Sequence, residues 1–465
     1  MRSIDRALPW IFSVALIAIV TLGHAQDVRV LPAVSRTFVI SNATVIQGPG
    51  RKIDAGTILI RDGLIAAVGK GLSIPPDATM IKGDSLYVYA GFIDGLSRVG
   101  VNKPKEEATK EKPKDPGNPP AKAAGITPYQ DVRSYLNPSE STIEEWRAIG
   151  FTAANIVPYG GMLPGSGAVI FLHGGPVDKM VVVPKSTMYS ELTIAERMYP
   201  NTILGVLAKW KELYRQASLS KSYSSLYASN RSGLESPGAD RVLEAFYPVI
   251  EKQTAVLFKA EKNLDAQRVL ALKDQLGFNL IVAELKEGWD LVPMLKSSTT
   301  RVFLSLDLPE AKKDKGKEDK EKRDDEAMII PDSIERLALE KRIEDFRTLY
   351  VGQAATFEKA AVPFGFSGLS VKSKDVQANL RRMIKAGLSE DGALAALTTN
   401  PAQSLGLSDR LGTIDPGKIA NLIISHKPYF NEKSKVQYVF IEGQIFKITA
   451  PKVEKPEGEK KPEKR

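Results

Sequence analysis

Cysteine is absent from this chain of 465 residues, and histidine occurs only three times, at His24, His173 and His426. Without cysteine there can be no disulfide, no zinc–thiolate site, no thiol nucleophile and no lipid-modified N-terminal cysteine. Beyond the first 25 residues no apolar run approaches the roughly 20 residues that a membrane span needs. A block of one charge sign is missing too, despite a formal net charge of +9. Much of the lysine falls in residues 103–122, 312–323 and 452–465, where Glu or Asp interleaves with it and aromatic side chains do not. Such polyampholyte segments offer neither a phosphate-tracking stripe nor a base-stacking surface, which argues against nucleic acid as a partner. The glycine-rich residues 160–167 are followed by no G-K-[ST], and Gly165-Ser166-Gly167 lacks the wider nucleophile-elbow context.

What the chain does have begins with an address. Arg2 and Arg6 precede an apolar run over residues 10–20, and Gly23-His24-Ala25 supplies small residues at a cleavage position. This order predicts a signal peptide over residues 1–25, a mature protein beginning at Gln26, and a periplasmic or secreted location without a membrane span after cleavage.

Short strands broken by turn residues follow from residue 37 to 90, with Asp62-Gly63 as the clearest hairpin turn, because Gly accepts the positive φ that the turn imposes. A matching set recurs over residues 411–449, so one β-sandwich built by both ends of the chain is expected. Residues 91–405 alternate strand-like runs with helical periods: strands near 254–258, 280–283 and 302–306, and a helix from Leu264 to Leu276 stopped by Gly277. Repeated strand-then-helix units predict parallel strands with crossover helices. Residues 103–121, 310–326 and 451–465 are too charged to bury apolar surface and are expected to be solvated loops and a tail.

Three motifs carry a family resemblance. Ala90-Gly91-Phe92-Ile93-Asp94-Gly95-Leu96-Ser97-Arg98-Val99-Gly100 resembles the P-G-F-I-D-x-H-x-H-x-G motif of metal-dependent amidohydrolases. Gly412-Thr413-Ile414-Asp415-Pro416-Gly417-Lys418-Ile419-Ala420-Asn421-Leu422 is similar to that family's G-x-I-x-P-G-K-x-A-D-L, and Arg61 to Gly69 to its R-D-G-x-I-x-x-V-G. The middle of the chain resembles the histidine-poor half of double-length exported relatives, and the branch it resembles is imidazolonepropionase-like or dihydroorotase-like. The resemblance implies an α/β fold: a distorted TIM (β/α)8 barrel beside a composite β-sandwich.

In that family, divalent metal at the barrel mouth activates water, held by histidines at strand ends. Here the H-x-H positions are Leu96, which has no lone pair, and Arg98, a permanent cation. The later ligand positions correspond to Lys259 or Glu261 and to Glu284, and the position of the family's last-strand Asp corresponds to Ser367. These six residues are the barrel-mouth candidates. With His24 lost in the signal peptide, two separated histidines cannot rebuild the site, so no metal and no other cofactor is expected. An all-carboxylate site on Glu261 and Glu284 would suit magnesium or calcium better than zinc. Arg98 is expected to pair with an acid, Glu261 first and Glu284 next.

Three functional readings follow. The first is a non-catalytic member that binds a protein partner, either a catalytic amidohydrolase homologue or a second copy of itself. The second is an amide hydrolase with an atypical or single-metal site, and the third a periplasmic small-molecule binder. Leu204 to Tyr214, with Trp210 and Tyr214 one turn apart, is either a docking face or a core-facing helix.

Overall fold

The computed structural model describes residues 37–104, 113–310 and 333–448. The expected signal peptide, residues 105–112, most of the charged stretch at 310–326 and the tail at 451–465 lie outside the described residues.

The first strands are β1 (Thr37–Gly48), β2 (Arg51–Arg61), β3 (Leu64–Gly69), β4 (Thr79–Lys82) and β5 (Tyr87–Ala90). Between β2 and β3, Asp62 and Gly63 both take positive φ, 51° and 81°, as a two-residue hairpin turn demands. The middle strands are β6 (Phe92–Ser97), β7 (Phe151–Ile156), β8 (Gly165–Ser166), β9 (Ala168–Phe171), β10 (Val181–Val183), β11 (Thr187–Glu191), β12 (Ala255–Lys259), β13 (Leu280–Leu285), β14 (Arg301–Ser305) and β15 (Phe364–Ser367). The last are β16 (Leu422–Ser425), β17 (Val436–Ile441) and β18 (Gln444–Lys447).

One sheet runs β18-β17-β16-β5-β1-β2-β3, with β4 also on β1, so strands from both ends of the described chain share a single ladder. Its inner face buries Ile40, Val45, Ile58, Ile60, Val88, Leu422, Ile424 and Phe440. The segment from Gly412 to Leu422 is fastened to the β2–β3 hairpin. The Ala420 amide donates to the Gly63 carbonyl at 2.8 Å, the Ile65 amide to the Lys418 carbonyl at 2.8 Å, and Arg51 meets Asp415 at 3.1 Å. Asn421 ties this sheet to the rest: its Oδ1 accepts from the Glu442 amide, and its Nδ2 donates to the Thr152 hydroxyl on β7.

The middle strands form two further sheets, β10-β9-β7-β6 and β15-β14-β13-β12-β11-β8. In the first, β6 and β7 are parallel; in the second, β11 to β15 are parallel in chain order. Helices Asn263–Leu276, Val292–Ser298 and Ser333–Lys359 connect successive strands from β12 to β15, as parallel pairing requires. The helix ending at Leu276 is capped by Gly277 at φ 79°. Where the sheets meet, the Gly368 amide donates to the Leu96 carbonyl at 3.2 Å, and the Ser367 hydroxyl oxygen lies 3.2 Å from that carbonyl. Leu96, Val157, Tyr189, Leu257, Ile281, Ala283 and Phe303 pack into one buried cluster drawn from both sheets.

One expectation changes here, and one open alternative is decided. Residues 113–121, read as part of a solvated loop, are partly packed: the Pro116 carbonyl accepts from the Tyr199 amide at 2.8 Å, and Ala121 lies against the core. The small residues and prolines of this stretch give it a surface that the charged half lacks. Trp210 and Tyr214 are core residues, with Trp210 fully buried among Phe246, Phe258 and Phe278, so their helix offers no docking face there.

Candidate functional site

The C-terminal ends of the parallel strands carry the charges. Arg98 follows β6, Glu191 ends β11, Lys259 ends β12 with Glu261 two residues on, Lys286 follows β13, and Asp307 lies two residues past β14. They form one chain of alternating sign. Arg98 meets Glu191 at 2.7 Å, Lys259 meets Glu191 at 3.9 Å and Glu261 at 2.9 Å, and Lys286 meets Glu261 at 3.5 Å and Asp307 at 3.1 Å. Three cations and three carboxylates thus lace five strand ends.

Arg98 therefore pairs with Glu191, not with Glu261 or Glu284. The reason is strand position: Glu191 ends a buried strand and points toward Arg98, whereas Glu261 has turned away to Lys259 and Lys286. The Arg98 guanidinium also lies over the Tyr159 ring, 4.3 Å from its centre, a cation–π arrangement. Glu191 is held further by the Tyr189 hydroxyl at 2.8 Å and the Thr193 hydroxyl at 3.1 Å. Burial pushes the Glu261 carboxyl up, but Lys259 and Lys286 outweigh it and hold it below the ordinary range. Burial would lower Lys286; Asp307, Glu261 and Glu284 outweigh it and raise it.

Beneath this chain lie two buried acids. Glu284 is fully buried on β13, at a register irregularity where its own φ is +60°, outside the usual range for a residue with a side chain. That local kink turns its carboxylate inward, where Ser305 donates to Oε1 at 2.6 Å and Ser367 donates to Oε2. Burial raises Glu284, against the pull of the Ser305, Ser367 and Ser370 hydroxyls. Asp94 is 1% exposed, and its Oδ1 accepts from the Gly368 amide at 2.9 Å and the Leu96 amide at 3.2 Å. Burial pushes Asp94 up to about 7, opposed by the Gly368 amide, the Ser97 hydroxyl and the Leu96 amide, and aided by the charge of Glu284. Gly368 must lack a side chain: a Cβ there would come within 2.2 Å of the Trp146 ring and 2.4 Å of Asp94 Oδ2.

The six candidates thus divide. Arg98, Lys259 and Glu261 join the charged chain, Glu284 and Ser367 share a buried hydrogen-bonded cluster, and Leu96 fills the interior. Sequence reasoning missed Glu191, Lys286 and Asp307. Their one sequence signal is a charge at, or just past, the end of a buried strand.

This donor set does not fit a divalent metal. Leu96 has no lone pair to offer, Arg98 is a permanent cation, and Lys259 and Lys286 add further positive charge. Among the described residues no group of three or more His, Cys, Asp or Glu is placed to hold a metal ion. His173 is engaged elsewhere: its Nδ1 accepts from the Gly175 amide at 2.9 Å, and Nε2 lies 3.3 Å from the Lys179 carbonyl. His426 lies in the loop after β16.

Residues 335–446 match the amidohydrolase family. A stretch of 110 residues is 27% identical to N-acetylglucosamine-6-phosphate deacetylase of Haemophilus influenzae, covering 23% of this chain and 28% of that enzyme. The solved structure of an amidohydrolase from Thermotoga maritima superposes with a TM-score of 0.71 at 22% identity, over 88% of this chain and 100% of that one. A prolidase complexed with N-methylphosphonate-L-proline superposes with a TM-score of 0.51 at 15% identity, over 88% of this chain and 99% of that one. No helix among the described residues is long and apolar enough to cross a membrane. The chain is thus similar to the amidohydrolase family over its C-terminal quarter, and over most of its length it shares the fold of a solved amidohydrolase.

Proposed function

We propose that this protein is an exported, non-hydrolytic amidohydrolase relative that works by associating with another protein. The observation carrying this reading is the Arg98–Glu191 ion pair, 2.7 Å long, at the strand ends where relatives would place metal ligands. A permanent cation there repels a divalent ion, and a carboxylate engaged by that cation and by Lys259 is a poor ligand. The parallel strands and their crossover helices are read as a distorted barrel, and the sheet shared by both chain ends as its composite β-sandwich. Retention of the Gly412 to Leu422 segment, pinned to the hairpin, supports selection for a folded scaffold. A catalytic amidohydrolase homologue in the same compartment is the favoured partner, because the interface of a double-length relative would outlast its division into two chains.

The test combines metal content, turnover and capture. Purified protein is expected to hold substoichiometric zinc, to hydrolyse neither cyclic nor linear amides with or without added zinc, and to bind an intact H-x-H homologue supplied in purified form. About one zinc per chain with chelator-sensitive amide hydrolysis would overturn the proposal.

A further inference from the structure

The helix Ser333–Lys359 overhangs the body. Every residue from 335 to 346 is exposed, Arg347 is half-buried, and Tyr350 is 7% exposed. Residues 335–349 would extend about 22 Å at 1.5 Å per residue. Along this overhang Leu339, Ile343 and Phe346 recur at spacings of four and three, in line with Tyr350, and are 46%, 49% and 42% exposed. The Phe346 ring still touches Trp289 and Tyr350, with centres 5.6 and 6.2 Å apart. The core stripe of the helix therefore runs off the edge of the body and continues uncovered by any described residue.

We propose that this overhang docks antiparallel on the same segment of a second copy. Charge decides both the occupant and the direction. With Leu339 and Phe346 at d and Ile343 and Tyr350 at a, the flanking positions are Glu335, Arg342 and Leu349 on one side and Glu340 and Arg347 on the other. A parallel pair would set Glu335 against Glu340 and Arg342 against Arg347, repulsive at both places. An antiparallel pair sets Glu340 of one copy against Arg347 of the other, twice about the two-fold axis, and lays the Arg342 stem over Leu349. The pairs these residues now make, Arg336–Glu340 at 4.0 Å and Arg347–Glu344 at 2.8 Å, are exposed contacts within one helix and exchange readily. The proposal goes beyond the association reading, whose favoured partner is a homologue: the partner at this overhang is a second copy. The contact is small, so the dimer is expected to dissociate on dilution.

Sedimentation equilibrium of the full exported chain tests this, with circular dichroism confirming that each variant folds. Glu340→Arg and Arg347→Glu are each expected to weaken the dimer at least about tenfold, and the doubly exchanged variant to recover most of that loss. Ile343→Asp should leave a monomer, whereas Leu219→Asp, on a different helix and 72% exposed, should not matter. A wild-type monomer at all concentrations, a dimer indifferent to Ile343→Asp, or failure of the double exchange to recover would overturn the proposal. A monomer whose stripe is protected from hydrogen exchange would also overturn it, since another segment of the chain would then be the occupant. Capture of an H-x-H homologue by a monomer would leave the association reading standing while this proposal fell.

Discussion

Arg98 and Glu191 depend on one another unequally. Glu191 keeps the Tyr189 and Thr193 hydroxyls and Lys259 within reach when the guanidinium is removed, whereas among the described residues Arg98 keeps only the face of Tyr159 when the carboxylate is removed. An uncompensated charge in a part-buried site is the larger penalty. Glu191→Met is therefore expected to destabilise by about 3 kcal/mol and Arg98→Met by about 1–2 kcal/mol. The double variant should lose less than the sum, as read by urea unfolding of all four proteins. Equal and additive losses would show that the pair is not coupled.

Asp94 gives the fold a pH dependence of a definite sign. A carboxyl raised to about 7 by burial binds its proton more tightly in the folded state than in the unfolded chain. Its contribution is most favourable below the ordinary carboxylate range, falls as pH rises toward 7, and is flat above. Asn at this position mimics the protonated acid and can keep both amide contacts on its oxygen. Asp94→Asn is expected to be more stable than wild type at pH 8 by about 2 kcal/mol, with the difference shrinking toward pH 5. Denaturant titrations across that range measure it, and an advantage independent of pH would contradict the assignment.

Trp210 is expected to matter to the fold and not to association. Its removal leaves the rings of Phe246, Phe258 and Phe278 facing a void and the Ser190 hydroxyl without its indole donor at 3.1 Å. Trp210→Ala should cost about 3–5 kcal/mol of stability. The dimer constant of the folded fraction should stay unchanged, which thermal unfolding and sedimentation together report.

The sequence carried the local structure well where one physical cue acted alone. The Asp62-Gly63 turn, the strand ending at Lys259 and the helix stopped by Gly277 each follow from a turn residue or a short apolar period. The site was legible only in part, because it depends on which side chains converge from distant strands. Arg98 announced itself by replacing an expected ligand, yet its partner did not. Glu191 ends a strand, residues 187–191, whose Met, Tyr and Ser look unremarkable in sequence and become informative only when β11 is placed beside β12. Asp94 and Ser367 are separated by more than half the chain, and only the meeting of β6 and β15 puts them in one buried cluster. The overhang of residues 335–349 is hidden for the opposite reason: its apolar spacing reads as an ordinary core helix, and only the body's edge reveals that nothing described covers it.

The charged chain across the strand ends has as many cations as carboxylates, and that balance has a kinetic consequence. At distances beyond the roughly 8 Å screening length of physiological salt, the six groups cancel, so these strand ends exert little pull on an approaching ion. Clefts that gather charged small molecules do so with walls of one sign, which focus the field outward and speed encounter. These strand ends have no such single-signed wall. Whatever long-range steering the protein's net charge of +9 provides must originate elsewhere on its surface, and capture rates at the strand ends should be nearly indifferent to added salt.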